Sequence, residues 1–512
     1  MEVRVPRRFT RRTSMFTLAA ASAAVLAACG EVEIRYVQGP TGAAGPAGPA
    51  GPAGQKGTAG AAGTVGEAGK TIVVEKPVVV EKQVIVEVPV KPTQPKHAPA
   101  KAAGPAPAAG QATGTIRFMF RAGAEEKGFE AITKVFRERN PNVEVVTEPS
   151  AGGHESKMLI QTAAGTEPDL MWTASIGNLY DFVAYDAWLS LDDYVKRDKL
   201  DLGQWYPAAV ETMREDGMLW ALPLWSHPSI TGLYYNKDKF DLAGLEYPNE
   251  NWTQEQLLDM AQKLTKRGAT AEAKDQQWGF RPLTGYYNGF LQDIWAAGGS
   301  ALNKDRTQSQ FDSAVARNAI QRVYDWFHRY RTAPPPEWSW GGSPESKLPQ
   351  ITLAMWTNGY WGWWGSKNWD FNWGVTQVPK GQGGTNGGML QTDAIPITRR
   401  SKFPEAAWEL HKLHSSKEGG LILNEHRLIP SSRPDVWTDP KLTAAEAHRS
   451  WHKTLLTAHP LEYPANLWVS QFEKQLTGAA HPIWKGELSV DQGIQQLTRV
   501  AANVLNRPRP RL

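Results

Sequence analysis

The sequence predicts an α/β protein with two lobes, preceded by a disordered or collagen-like N-terminal stalk. From Thr115 onward, segments with strand-like alternation of apolar and polar residues follow segments with helical periodicity. This pattern continues for about 400 residues, more than one ordinary domain holds. The residues before it are instead rich in Gly, Ala and Pro, a composition typical of a spacer.

The first elements predict a parallel sheet covered by helices. Residues 115–120 (TIRFMF) alternate as a strand, and GFEAITKVFRERN places its apolar residues on one helical face. NPNVEVVTEP predicts a second strand, ESKMLIQTAAG a helix that ends near Gly165, and PDLMW a third short strand. Strand–helix–strand units of this spacing favour a mostly parallel sheet with helices on both faces.

Later segments continue the α/β pattern. TQEQLLDMAQKLTK, FDSAVARNAIQRVYDWFHRY and PEAAWELHKLHSS predict helices, the last with Pro404 in its first turn, and FNWGVTQVP predicts a strand. His411 and His414 lie three residues apart on the last helix. Without a carboxylate partner, such a pair predicts surface residues in preference to a zinc site.

The N-terminus carries an export signal. Residues 1–28 combine an arginine-rich start, which resembles a twin-arginine signal, with an apolar stretch of signal-peptide length. The stretch ends in Leu-Ala-Ala-Cys, which resembles the bacterial lipobox and predicts lipidation of Cys29, the only cysteine of the chain. Residues 29–38 would then be the lipidated N-terminus of an extracytoplasmic protein anchored to the cell membrane.

A stalk is predicted between the anchor and the globular region. Within residues 39–70, eleven glycines recur at every third position, which is the collagen-like Gly-X-Y pattern. The repeat predicts either a homotrimer through residues 39–70 or a monomeric spacer. Residues 71–113 contain a Val/Glu/Lys/Pro repeat and an Ala/Pro-rich linker. Residues 114–512 form the predicted two-lobed domain.

Several kinds of site have little support in the sequence. The net charge is +4, and no stripe of Arg and Lys interleaved with aromatic residues suggests nucleic acid. No phosphate-binding G-x-x-x-x-G-K-[ST] motif is present. We therefore expect no cofactor, no metal site and no nucleic-acid partner.

Aromatic residues are concentrated in one segment. Six of the 22 tryptophans fall within residues 351–376 (ITLAMWTNGYWGWWGSKNWDFNWGVT). A flat indole can cover the apolar C–H face of a sugar ring, while its hydroxyls require buried hydrogen-bond partners. The segment therefore favours a carbohydrate ligand.

Four motifs in order resemble the extracellular solute-binding proteins of bacterial ABC importers, in the group that contains maltose-binding protein. They are GTEPDLMWTA, DGMLWALPLWSHPSITGLYYNKDKF, LAMWTNGYWGWW, and WGVTQVPKG with the following PEAAWEL. The resemblance covers residues 115 to about 435. It implies two lobes joined by a hinge, which close on a solute, and a permease in the membrane as partner.

The resemblance also implies the positions of ligand contacts. Trp361 follows Asn358-Gly359-Tyr360, where sugar-binding relatives have Asn-Gly-Pro before a stacking tryptophan, and the tyrosine departs from that pattern. The predicted ligand-binding residues are Trp361, Trp363, Trp172, Thr173, Trp225, Ser226, Tyr287, Asn288, Asp393 and Asn358. Each could instead belong to the core. Trp356, Trp364, Trp369 and Trp373 are assigned to packing, and Trp363 and Trp364 are expected to point to opposite sides.

The function expected from these features is that of a lipid-anchored binding component of an ABC importer for a sugar or oligosaccharide, without enzymatic activity. Two alternatives remain open: a secreted carbohydrate-active enzyme, and a collagen-stalked surface protein that binds glycans. Glycerol phosphate or another small polar solute is the alternative ligand, with Arg427 as a candidate phosphate contact.

Overall fold

A computed structural model describes residues 112–510, except 124, 152–153, 174–175, 272, 274, 340–351, 366–368, 428–430 and 460–461. The predicted signal peptide, Cys29, the collagen-like repeat and almost all of the linker lie outside the described residues. The side chains of Asn288, Trp364 and Arg427 are also outside the description. No helix of the described residues is long and apolar enough to cross a membrane.

The first lobe is built on a parallel three-stranded sheet, as predicted. Its strands and helices are β1 (Gly114–Arg121), α1 (Glu126–Arg139), β2 (Val143–Ser150), α2 (His154–Ala164), β3 (Leu170–Met171), α3 (Ile176–Ala184), α4 (Asp192–Asp198), α5 (Pro207–Glu211), β4 (Arg214–Glu215) and β5 (Met218–Leu219). The sheet order is β2-β1-β3, and β4 and β5 form a separate antiparallel pair. Phe118, Phe120 and Phe129 are fully buried, because β1 and α1 place them on facing surfaces.

The second lobe contains a mixed sheet. Its elements are β7 (Gly232–Asn236), α6 (Lys237–Ala243), α7 (Gln254–Lys263), β8 (Gln277–Arg281), α8 (Tyr287–Ala296), α9 (Ala314–His328), β9 (Thr352–Asn358), α10 (Trp361–Gly365) and β10 (Trp373–Gln377). The order is β10-β7-β9-β8; β7 is antiparallel to both neighbours, and β8 and β9 are parallel. The prediction of a mostly parallel sheet therefore holds for the first lobe and not for the second.

Two strands carry the chain between the lobes. β6 (Pro223–His227) leads from the first lobe into β7, and β11 (Gln391–Ala394) leads back from the second lobe. They pair with each other in antiparallel fashion, so the two crossings form one small sheet. We call β6 and β11 the crossing strands.

The remaining helices cover both lobes. They are α11 (Pro404–His414), α12 (Lys417–Arg427), α13 (Pro434–Trp437), α14 (Pro440–Thr443), α15 (Glu446–Leu455), α16 (Val469–Trp484) and α17 (Val490–Leu505). α11 packs on α1 and β1, whereas α16 contacts α3 of the first lobe and α8 and α9 of the second. The C-terminal helices therefore join parts of the chain that are far apart in sequence.

The prediction that His411 and His414 are surface residues is wrong. Both side chains are fully buried on the face of α11 that packs on the first lobe. His411 Nε2 accepts a hydrogen bond from the backbone N–H of Leu222 at 2.8 Å, and His414 Nδ1 donates to the carbonyl of Leu410 at 2.9 Å. These bonds satisfy one nitrogen of each buried ring.

The segment around Trp361 differs from the expectation of a strand or turn. Residues from Trp361 to Gly365 form a short helix, in which Gly362 N and Trp363 N bond to the carbonyls of Gly359 and Tyr360 at 3.0 and 3.1 Å. Neighbouring side chains in a helix diverge by about 100°, not by the 180° of a strand. The expectation that Trp363 and Trp364 point to opposite sides assumed a strand or a turn, and it therefore does not apply.

Candidate functional site

The crossing strands bring several predicted contacts onto one face. Trp225 lies opposite Asp393, and His227 lies opposite Gln391. Because side chains two residues apart in a strand point to the same face, Trp225 and His227 share a side of β6. Ser226 points to the other side, where its hydroxyl is 2.9 Å from that of Thr392 and 2.8 Å from that of Ser432.

A cluster of rings, here called the first-lobe ring cluster, lies against this face. It consists of Phe129, Trp172 and Trp225, with ring centroids 5.8 Å apart for each pair. Both indoles are at most 2% exposed. The structure therefore brings two of the predicted ligand-binding rings together and holds them inside the molecule.

Polar groups surround the Trp172 ring. His154 Nε2 donates a hydrogen bond to the Trp172 carbonyl at 2.8 Å, and burial lowers the pKa of His154. The guanidinium of Arg121 lies 4.9 Å from the Trp172 ring centroid, the geometry of a cation–π contact, and it also pairs with buried Glu125. Thr173 is buried as well, and its hydroxyl donates to the carbonyl of Ala394 at 3.2 Å.

Asp393 carries a buried carboxyl group on the same face as Trp225. Its side chain is 4% exposed, and its Oδ1 atom has no hydrogen-bond partner among the described residues. Burial raises the pKa of Asp393 to about 8, although a hydrogen bond from Trp225 and the charge of Arg121 act in the opposite direction. At pH 7 the group is therefore mostly a neutral carboxylic acid, which can both donate a hydrogen bond to an uncharged hydroxyl and accept one from it.

The second group of predicted residues, here called the aromatic segment, spans residues 358–363. The ring of Trp361 lies back over Gly359, where an added Cβ would be 2.2 Å from the indole, so glycine is required at that position. Asn358 is fully buried, and its Oδ1 accepts from Gly359 N at 2.8 Å. Trp361 and Trp363 are only partly buried, which distinguishes them from Trp172 and Trp225.

His227 connects the aromatic segment to the crossing strands. Its imidazole meets the Trp361 ring edge-on, with centroids 5.5 Å apart. His227 is 4% exposed, and burial lowers its pKa to about 4, so the ring is neutral at pH 7. A series of contacts thus runs from Trp172 through Trp225 and along β6 to His227 and Trp361.

Tyr287 lies elsewhere. It begins α8 and packs edge-on against Phe290 and against Phe472 of α16, with centroids 6.0 and 5.8 Å away. Its side chain is 5% exposed. The structure does not bring Tyr287 to the aromatic segment through any described ring contact, and its role in binding remains a prediction, as does that of Asn288.

A recess in the second lobe is lined by other residues. Its empty volume is about 540 Å³, part of it open to solvent, and its wall comes from α7, α8, α9 and the ends of β8 and β9. None of the predicted ligand contacts whose side chains are described lines it. Its charged groups already pair, since Arg322 Nε donates to Asp293 at 2.9 Å. We therefore assign the recess to packing between helices.

Several residues of the site were not predicted from the sequence. Arg121 could have been found because it ends β1, at the carboxyl edge of a parallel sheet where ligands of α/β proteins bind. His227 could have been found from strand alternation, being two residues beyond Trp225. His154 gave no local signal, because its contact with Trp172 depends on the packing of α2.

Comparison with known proteins assigns the family. The profile of the bacterial extracellular solute-binding proteins matches residues 121–420. An uncharacterized ABC transporter extracellular-binding protein of Pyrococcus horikoshii is 24% identical over 337 residues, which cover 62% of this chain and 71% of that protein.

Solved structures of similar fold include sugar-binding proteins. A Listeria monocytogenes ABC substrate-binding protein in complex with cycloalternan has a TM-score of 0.68 at 21% identity and covers 76% of this chain and 98% of its own. The GacH receptor of Streptomyces glaucescens, solved unliganded and with acarbose, has a TM-score of 0.65 at 20% identity and covers 77% and 99%. At this identity the likeness shows the two-lobed fold. The chain belongs to the family of bacterial extracellular solute-binding proteins.

Proposed function

We propose that this protein is the lipid-anchored binding component of an ABC importer, and that it takes a neutral sugar or oligosaccharide between its lobes and delivers it unchanged to a permease. The observation that carries the proposal is the series of contacts from Trp172 and Trp225 to Trp361 along β6. It places rings of both lobes next to the strands on which the lobes would turn. The sugars bound by similar proteins agree with this ligand class.

The chemistry of the site favours an uncharged ligand. Trp361 and Trp363 present partly exposed indoles, which can cover the C–H face of a sugar ring. The carboxyl of Asp393 offers a hydrogen-bonding group on the face of the crossing strands that also carries Trp225. Since Trp172 and Trp225 are buried, we propose that a solute reaches them only when the lobes separate, and that the described state is closed.

A thermal-shift screen over neutral sugars tests the proposal. The set includes maltotriose, acarbose and monosaccharides, with glycerol 3-phosphate as the charged alternative. A ligand present at 100 times its Kd stabilises the folded state by about 2.7 kcal/mol, so a binding sugar raises the Tm by several degrees. A rise with glycerol 3-phosphate alone would contradict the sugar proposal.

The same samples show whether the protein only binds the sugars or also cleaves them. After overnight incubation, chromatography of the sugars is expected to show no products, because we propose reversible binding without turnover. Release of shorter sugars would instead indicate a carbohydrate-active enzyme.

The N-terminal proposals have their own tests. We propose that Cys29 carries the lipid and that residues 39–70 act as a spacer that holds the binding domain away from the membrane. Cys29→Ser is expected to move the protein from the membrane fraction to the soluble fraction. Light scattering of the protein with and without residues 39–69 distinguishes a trimeric stalk from a monomeric spacer.

A further inference from the structure

Helix α15 lies beyond the residues matched by the family profile and carries two histidines on one face. His448 and His452 are four residues apart, so their side chains are neighbours on the helix surface. The indole of Trp437 stacks against both imidazoles, with ring centroids 4.7 and 5.3 Å away. The stack also meets the aromatic segment, because the Tyr360 ring packs edge-on against Trp437 and His448.

Each histidine bonds to a tyrosine from a different part of the chain. His448 Nδ1 is 3.2 Å from the hydroxyl of Tyr360, the residue immediately before Trp361. His452 Nε2 is 2.7 Å from the hydroxyl of Tyr206, which precedes α5 in the first lobe. One turn of α15 therefore contacts both the aromatic segment and the first lobe.

The direction of the His448 hydrogen bonds follows from their partners. His448 Nε2 is 2.9 Å from the carbonyl of Trp437, which can only accept, so Nε2 carries the proton. Nδ1 is then the acceptor, and the Tyr360 hydroxyl donates to it. Burial lowers the pKa of His448 to about 4, which keeps this neutral tautomer at physiological pH.

Tyr360 is held on several sides. Its side chain is 2% exposed, and its ring packs edge-on against Trp363, Trp437 and Trp451 at 5.6, 5.9 and 5.5 Å. Trp451 is also on α15 and lies so close to Gly232 of β7 that an added Cβ there would be 2.4 Å from the indole. The hydroxyl of Tyr360 thus fixes a ring that is already enclosed.

We propose that α15 positions the aromatic segment, with His448 as the positioning residue for Trp361 and Trp363. Tyr360 stands immediately before Trp361, so its hydrogen bond to His448 anchors the start of α10. The bond between His452 and Tyr206 holds the same helix to the first lobe, which ties the position of the rings to the arrangement of the lobes. The expected effect of His448 on solute affinity rests on the proposed function, whereas its expected effect on the aromatic segment does not.

Hydrogen exchange of the unliganded protein tests the positioning directly. Tyr360→Phe and His448→Phe each keep a ring in place and remove one partner of the hydrogen bond. We expect each to speed exchange at the amides of Gly362 and Trp363 by about five- to tenfold, because those amides close the first turn of α10. The double variant is expected to match His448→Phe, since that variant already removes the bond to Tyr360 together with the bond to the Trp437 carbonyl.

Tyr180→Phe is the matched control. The Tyr180 hydroxyl is equally buried and donates to the Thr212 carbonyl at 2.9 Å in the first lobe, away from the aromatic segment. We expect it to lower the Tm about as much as Tyr360→Phe while leaving exchange at Gly362 and Trp363 unchanged. Unchanged exchange in both Tyr360→Phe and His448→Phe, or the same acceleration in the control, would overturn the proposal.

A maltotriose titration tests whether the position of the aromatic segment affects the affinity for a solute. If maltotriose binds the unmodified protein, His448→Phe is expected to weaken it about fivefold or more, with no effect from Tyr180→Phe. Equal affinity of His448→Phe and the unmodified protein would overturn the claim that the position of the segment matters for binding. Should maltotriose not bind the unmodified protein, this sugar is not a ligand, and the exchange rates alone decide the role of His448.

Discussion

The first-lobe ring cluster and the aromatic segment are both rich in tryptophan, yet they differ in exposure and in what holds them. Trp172 and Trp225 are enclosed by Phe129 and lie beside a buried carboxyl. Trp361 and Trp363 are partly exposed and are supported from behind by Tyr360 and α15. Trp172 and Trp225 therefore form an enclosed wall, whereas Trp361 and Trp363 present partly exposed rings, and substitution separates the effect on stability from the effect on binding.

The largest effect is expected at the buried ring. Trp225→Ala removes an indole that packs on both Phe129 and Trp172, and the cavity left behind is expected to lower the free energy of unfolding by about 3–5 kcal/mol. Urea denaturation measures this change. A loss below about 1 kcal/mol would mean that the cluster is not a wall, and the comparison with the aromatic segment would fail.

Trp361→Ala is expected to give the opposite result. Loss of a partly exposed ring should change the free energy of unfolding by about 1 kcal/mol or less, whereas loss of stacking weakens sugar binding by about 2 kcal/mol, roughly thirtyfold. Calorimetric titration with a sugar from the thermal-shift screen measures the affinity.

Trp373→Ala is the control for Trp361→Ala. Trp373 is also partly buried in the second lobe, but its ring packs against Tyr234 and Trp369 in place of His227. We expect unchanged affinity for this variant. Equal losses of affinity in both variants would indicate a general disturbance of the second lobe.

Asp393→Asn is expected to raise stability at high pH. Burial raises the pKa of Asp393 from an ordinary value of 3.8 to about 8, so the folded state keeps a proton that the unfolded state releases. The stabilisation from this proton is complete below about pH 4 and is lost as the pH rises towards 8. The amide side chain of the variant does not ionise, so its stability does not fall over this pH range. At pH 8 we expect the variant to be more stable than the unmodified protein by on the order of 1–3 kcal/mol.

Denaturation at pH 4 and pH 8 measures the effect of Asp393→Asn. The difference between variant and unmodified protein is expected to be small at pH 4 and larger at pH 8. Asp259→Asn, at an exposed position on α7, should show no comparable change between the two pH values. A difference that grows as the pH falls would contradict the protonated state of Asp393.

The smallest effect is expected at the edge of the first-lobe ring cluster. Arg121→Lys keeps the positive charge but removes the planar guanidinium that lies over the Trp172 ring. We expect the free energy of unfolding to fall by about 0.5–1 kcal/mol. Arg139→Lys, at an ion pair with Glu418 where no ring contact is described, should have a smaller effect in the same denaturation experiment.

Local patterns predicted much of the fold. The alternation in residues 115–120 and the apolar helical face around Phe129 match β1 and α1, because Phe118 and Phe120 of the strand and Phe129 of the helix are buried together. Pro404 begins α11 as expected. The mixed pairing of the second sheet could not be predicted, since strand direction depends on contacts between segments far apart in the chain.

Fewer features of the candidate site could be predicted from the sequence. Alternation along β6 makes Trp225 and His227 neighbours, but only the folded chain shows that His227 meets Trp361. The burial of His411 and His414 depends on hydrogen bonds to backbone groups that no local pattern shows. The support of Tyr360 by His448 joins residues 88 positions apart, beyond any periodicity in the sequence.

Fluorine NMR of the 5-fluorotryptophan-labelled protein, titrated with the tightest sugar of the screen, tests most directly which rings meet the solute. Resonances are assigned by replacing single tryptophans with phenylalanine. We predict that the Trp361 and Trp363 signals shift on saturation, while those of Trp408 and Trp484, fully buried in separate helices, do not. A saturating sugar that leaves the Trp361 signal in place would contradict the proposal that the aromatic segment binds the solute.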